Sequence, residues 1–133
     1  MKRLLFVVLV AGAVALGASD AFAHHSFAAT YIEGQTVTVE GELVQFQFRN
    51  PHSFVHVNVK QADGTTIRYA VEWGGTNQLD GSGVTRETLR PGDIIVITGS
   101  PARNPAEHRI RIMTLLRPRD GYKWGGKPGE VVD

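Results

Sequence analysis

The segment Val37–Phe48, VTVEGELVQFQF, alternates apolar and polar residues and changes phase once along its length. Alternation with period two marks a strand with one buried face. Its β-branched and aromatic side chains suit a pleated, half-buried surface. Val37, Val39 and Gly41 share one parity, and Val44, Phe46 and Phe48 the other. A strand changes its buried face only through a bulge or sharp bend, and Gly41 is the residue that allows one. The segment therefore predicts a long, bent first strand that serves two sheets at once.

The rest of the chain reads as short strands between turn signals. Arg49-Asn50-Pro51-His52 forms a turn, with φ fixed at Pro51. Ser53–Val59 is the second strand, with Val55, Val57 and Val59 on one face and Phe54, His56 and Asn58 on the other. Asp63-Gly64 is a hairpin signal. Thr65–Glu72 is the third strand, with Ile67, Tyr69 and Val71 on one face. A glycine-rich connection, Trp73–Val84, leads to Thr85, which is placed to cap a short helix over Arg86–Arg90. Ile94–Gly99 and Arg109–Leu116 are the fourth and fifth strands, separated by the polar loop Pro101–Glu107. Five strands with a short helix between the third and fourth predict an all-β fold, a small OB-like barrel. A β-sandwich is the alternative, although it usually takes about seven strands. The barrel is expected over residues 24–118. Residues 119–133 are expected to be a tail, either frayed or pinned to the barrel by Tyr122 and Trp124.

Residues 1–23 read as a signal peptide. Lys2 and Arg3 precede the apolar run Leu4–Leu16, and Ala21-Phe22-Ala23 supplies the small residues of a cleavage site. The run is short for a membrane span, which takes about 20 residues; an uncleaved anchor is the alternative. The expected location is the periplasm, with no stable membrane anchor after cleavage. The 133 residues allow one domain. The absence of cysteine excludes disulfides, thiolate zinc sites and iron–sulfur clusters. Lys and Arg total 14 against 13 Asp and Glu, and the leader holds Lys2, Arg3 and Asp20. The mature chain is thus neutral, which argues against a nucleic-acid partner. No serine lies in a G-x-S-x-G context, no glycine cluster precedes a long helix, and H-E-x-x-H does not occur.

Cleavage after Ala23 would give His24 a free α-amine. That nitrogen and the imidazole Nδ1 chelate Cu(II), which favours nitrogen ligands. The amine, with an ordinary pKa of about 8, loses its proton readily to a metal. His25 can serve instead, and His52 or His56 would supply a third nitrogen. On one extended strand these two lie about 13 Å apart, so at most one joins a mononuclear site. The simpler readings are, for His24 and His25, a flexible, hydrated start that serves export or docks Phe27 onto the barrel, a backbone-bonded turn residue for His52, and a cross-strand partner for His56. A hairpin register pairing Phe48 with Ser53 sets Gln45 opposite His56 and Gln47 opposite Phe54, a polar-aromatic surface suited to a ligand. Trp73, beside Glu72, is a further ligand-binding candidate at the barrel mouth. The simpler alternative has Trp73 plug the barrel while Glu72 pairs with an arginine such as Arg49 or Arg68.

His24-His25-Ser26-Phe27 after the leader, Asn50-Pro51-His52 after the first strand, and Leu89-Arg90-Pro91-Gly92-Asp93 before a Val/Ile strand together resemble a family of small secreted bacterial proteins of unknown function. Members commonly carry a tryptophan just before the Asn-Pro-His turn, where this chain has Phe48 and Arg49. The resemblance runs through the mature chain to about Leu116. It implies export, a small β fold and a shared His-His start, and it implies no activity. The expected function is a periplasmic, non-enzymatic binding or accessory protein for a small ligand or protein partner. The alternative is a copper-binding protein using His24, His25 and His52, and the weaker alternative a copper-dependent redox enzyme.

Overall fold

The computed structural model describes residues 27–126. Residues 1–26, which hold the expected signal peptide, His24 and His25, and residues 127–133 of the expected tail lie outside the described residues. The strands are β1 (Val37–Gln47), β2 (Phe54–Lys60), β3 (Thr66–Glu72), β4 (Ile94–Pro101), β5 (Arg109–Arg117) and β6 (Tyr122–Gly125), with one short helix, α1 (Thr76–Gly81), between β3 and β4. The sheet order is β3-β2-β1-β4-β5-β6. A parallel pairing of β3 with β5, in which Val71 faces Ile110, closes the first five strands into the expected OB-like barrel. Among the described residues, no helix is long and apolar enough to cross a membrane.

β1 does serve two partners. Val37–Glu42 pairs with β4, and Glu42–Gln47 pairs with β2. The change of phase falls between Leu43 and Gln45, where the register slips, and not at Gly41. Gly41 has another task. A Cβ there would stand 2.7 Å from the Asn58 carbonyl oxygen, so the glycine lets β2 approach. The slip lets Leu43 point inward and then turns Phe46 inward as well, so both halves of the strand feed one core.

The helix lies earlier than Thr85 predicts. Residues 85–88 make only a turn, with Thr88 N–H on the Thr85 carbonyl at 3.1 Å and Thr85 N–H on Thr88 Oγ1 at 2.8 Å. Pro91 leaves too little chain for a helix after Thr85. Starting at Thr76, whose N–H is held by Asn50 Oδ1 at 2.9 Å, the helix instead drives Leu79 into the core.

Leu43, Val55, Val57, Val71, Ile95, Ile97, Ile110, Ile112 and Leu115 fill the barrel. One end is closed by Leu79, Val84 and Leu89 and by Trp73 set edge-on against Trp124 at 4.8 Å. Trp124 arrives on β6, which pairs with β5 from Thr114 to Arg117, and its indole N–H donates to Ser82 Oγ at 3.1 Å. Residues 122–125 are therefore a sixth strand pinned through both aromatics. Arg117 ties this end to the turn before β4, donating to Asp93 at 3.0 Å and to the Thr88 carbonyl at 2.7 Å.

Candidate functional site

The alternation of β3 sends Val71 and Tyr69 inward and leaves Arg68, Ala70 and Glu72 on the outer face. Glu72 stands between Phe54 of β2 and Arg111 of β5. A carboxylate in that position is ordinarily solvated, yet Glu72 is only 6% exposed. The cause is a roof. Residues 27–30 are helical, the Tyr31 N–H bonds the Phe27 carbonyl at 2.7 Å, and Tyr31 bridges to Ala102. This segment crosses the outer face and covers the end of β3.

Beneath the roof the carboxylate collects three donors. The Tyr31 hydroxyl and Arg109 Nη2 both donate to Glu72 Oε2, the latter at 2.8 Å. His52 Nδ1 lies 2.5 Å from Oε1. A carboxylate only accepts, so Nδ1 carries the proton and the other ring nitrogen keeps its lone pair when the imidazole is neutral. The Phe27 ring stacks on His52 at 5.3 Å between centroids, and the Arg111 guanidinium lies 3.8 Å over the far ring, Phe27. Burial, then the Glu72 carboxylate, pushes the Tyr31 hydroxyl well above the ordinary tyrosine range. Two expectations change here. The arginine of Glu72 is Arg109, because Arg68 turns to Asn58 Oδ1 at 3.1 Å and Arg49 lies over Phe54. His52 bonds a carboxylate and not the backbone, because the turn brings it to the end of β3.

On the same outer face, Gln45 sits opposite His56 and Gln47 opposite Phe54, as the hairpin register predicts. Phe54 and His56 rings lie 6.3 Å apart, and the Arg49 and Arg109 guanidiniums stand 5.3 and 5.6 Å from the Phe54 centroid. Burial, then the charges of Arg68 and Arg49, lowers the His56 pKa and favours its neutral form. Trp73 does not join this surface. It is 2% exposed and packs between Phe46 and Trp124 in the core. Its neighbour Glu72 points outward, so strand alternation sends the indole inward. Trp73 Nε1 finds no partner among the described residues. Of the metal candidates, only His52 and His56 are described. No group of three His, Asp or Glu side chains able to hold an ion occurs among the described residues.

A cleft of about 680 Å³ opens at the other end of the barrel, and no sequence signal singled it out. β1 pairs with β2 only from Glu42 onward, so the first half of β1 and the end of β2 diverge. Val37, Val39, Val59, Tyr69 and Ile110 form an apolar floor between them, and Lys60, Arg103 and His108 stand around the rim. His108 has left-handed backbone, φ 47°, which turns the chain from the 3-10 segment Pro105–Glu107 into β5. Its ring meets Tyr69 edge-on at 5.5 Å. That volume lies in the range of small-ligand sites, roughly 300–1,000 Å³.

The roof, too, escapes a strand-by-strand reading. The signal available was the spacing of Phe27 and Tyr31, which places two aromatic rings on one face of a helical turn. Among known proteins, residues 11–111 match the model described as Family of unknown function (DUF6152). No curated protein matches the chain.

Proposed function

The chain belongs to the DUF6152 family of unknown function, and since membership supplies no activity, we propose from its own geometry that it is an exported, non-enzymatic binding protein. One observation carries the reading: the barrel is packed and closed at the Trp73–Trp124 end and open, with an apolar floor, where β1 and β2 part. A core residue left half-buried at an open cleft is a place for a ligand. Val37, Val39 and Tyr69 are all of this kind. The test uses chain beginning at His24 and 8-anilinonaphthalene-1-sulfonate as probe. Saturable one-to-one binding, lost in Val39→Trp while circular dichroism is unchanged, supports the reading. Absence of binding to the unaltered chain, or unchanged binding by Val39→Trp, contradicts it.

A second reading, copper binding, has its own support in His52. A metal-ligating histidine commonly donates its other ring N–H to a carboxylate, which fixes the tautomer and raises ligand basicity. Glu72 receives Nδ1 of His52 in that manner. Phe27 stacks on the same ring. His25 precedes Phe27 by two residues, a reach of about 7 Å. The ligand set is the His24 amine and imidazole, or His25, together with His52 Nε2. Copper would supply Lewis acidity or one-electron chemistry when bound. The chain's own part is to hold and orient the ring through Glu72. Titration with Cu(II) should saturate at one ion, and His52→Ala or one residue added ahead of His24 should weaken binding at least tenfold. Equal affinity in all three chains would contradict this reading.

A further inference from the structure

We propose that the occupant of the cleft is an extended peptide from another protein, added as a strand to the free edge of β1; this rests on the cleft being the ligand site. Val37–Glu40 pairs with β4 on one side, and the described residues offer it no strand on the other. Alternate residues of an antiparallel strand turn both N–H and C=O away from a given partner. Along Val37–Glu40 this leaves donors and acceptors aimed at the side where the cleft lies. Such a row of unpaired groups is a template for another strand. Globular proteins ordinarily cover it, and here, among the described residues, it flanks an apolar cavity instead.

The two features fit one ligand chemistry. A strand laid beside Val37–Glu40 meets main-chain groups with its own, and every second side chain drops toward Val39, Val59, Tyr69 and Ile110. A compact apolar molecule would fill the floor and leave the strand edge unused. The rim adds a charge preference. Lys60 forms no ion pair among the described residues. Arg103 is held by the Ala28 carbonyl at 2.7 Å, a neutral partner that leaves its charge uncompensated. Arg109, by contrast, is already paired with Glu72. Glu40 is the one acid among the lining residues. The preferred peptide is therefore extended, with apolar side chains at alternate positions and a carboxylate at one end.

The probe is the synthetic peptide acetyl-Val-Thr-Val-Thr-Val-Glu with a free C-terminus, titrated into chain beginning at His24 and followed by amide NMR and hydrogen exchange. One-to-one binding that slows exchange of amides within Val37–Glu40 is expected. N-methylation of alternate peptide bonds in the probe should weaken binding at least tenfold in one of the two methylation phases. Lys60→Glu should weaken it several-fold, and loss of that effect with a peptide whose side-chain and terminal carboxyls are amidated identifies the carboxylate as the partner of Lys60. Binding without protection at Val37–Glu40, or equal binding of both methylated forms, overturns strand addition. Binding only after residues 127–133 are removed would make this chain's own C-terminal segment the occupant and overturns a foreign peptide. No peptide binding by a chain that holds the naphthalene dye overturns this inference and leaves the binding-protein reading intact. Failure of both probes removes that reading.

Discussion

Glu72 and Trp73 are consecutive residues, both almost wholly buried, and they are buried by opposite means. Trp73 turns into the barrel and is enclosed by Phe46 and Trp124, an environment made of dispersion contacts and water exclusion. Glu72 turns outward and is enclosed only because residues 27–31 fold over it, bringing Tyr31 to the carboxylate that Arg109 and His52 also hold. The first environment belongs to the closed end of the fold. The second is an added layer, tied down by directional donors, and should be the more responsive to pH and to single substitutions. A buried charge is tolerable because every donor is in place.

The largest effect should come from the apolar side. Trp73→Ala removes a ring from the packed end and should cost about 3–5 kcal/mol in denaturant unfolding. It should lower the protection of all strands together, since this end is shared by α1 and β6. A loss confined to residues 27–31 would break the contrast between the two environments.

Glu72→Gln should cost less, about 1–3 kcal/mol, because Arg109 and His52 are partly exposed and water can replace part of what they lose. Its signature should be local. Hydrogen exchange should rise first at Tyr31, whose N–H lies in the roof, while amides of β1 and β4 keep their protection. Uniform loss across the barrel would mean that the roof and core are one cooperative unit.

Tyr31→Phe removes one donor and should cost about 1 kcal/mol. It also carries a pH signature with a definite sign. The Tyr31 hydroxyl titrates well above the ordinary tyrosine value in the folded chain because of burial and then the adjacent carboxylate. Its contribution is fully present below the unfolded pKa of about 10. It is lost as pH rises above that, because the unfolded chain ionises there while folded Tyr31 stays protonated. Stability between pH 10 and 12 should therefore fall more steeply in the unaltered chain than in Tyr31→Phe. Parallel curves would show that the hydroxyl does not sense the carboxylate.

The inner layer was legible in the sequence because period-two alternation speaks directly about which side chains face a common core. It located the strands, the order of an OB-like barrel and the pairing of Gln45 with His56. It misplaced the phase change, since Gly41 looked like a bend while the slip at Val44 is set by how Leu43 and Phe46 pack. It misplaced the helix, since a capping threonine is a local cue and the burial of Leu79 is not. The outer layer was barely legible. Nothing in the strand pattern says that Phe27 and Tyr31 cross over β3, or that Arg109 reaches Glu72, because those contacts join distant parts of the chain. The cleft was invisible for a related reason. It exists where β1 and β2 stop pairing, and a sequence signals strands better than the point at which two of them diverge.

The most direct test of the binding site is methyl and amide NMR of chain beginning at His24 with 8-anilinonaphthalene-1-sulfonate. If the cleft is the ligand site, shifts concentrate at Val37, Val39, Val59, Tyr69 and Ile110, with Phe54, His56 and the residues around His52 unmoved. Shifts centred on Phe54 and His56, with the floor of the cleft silent, would contradict it.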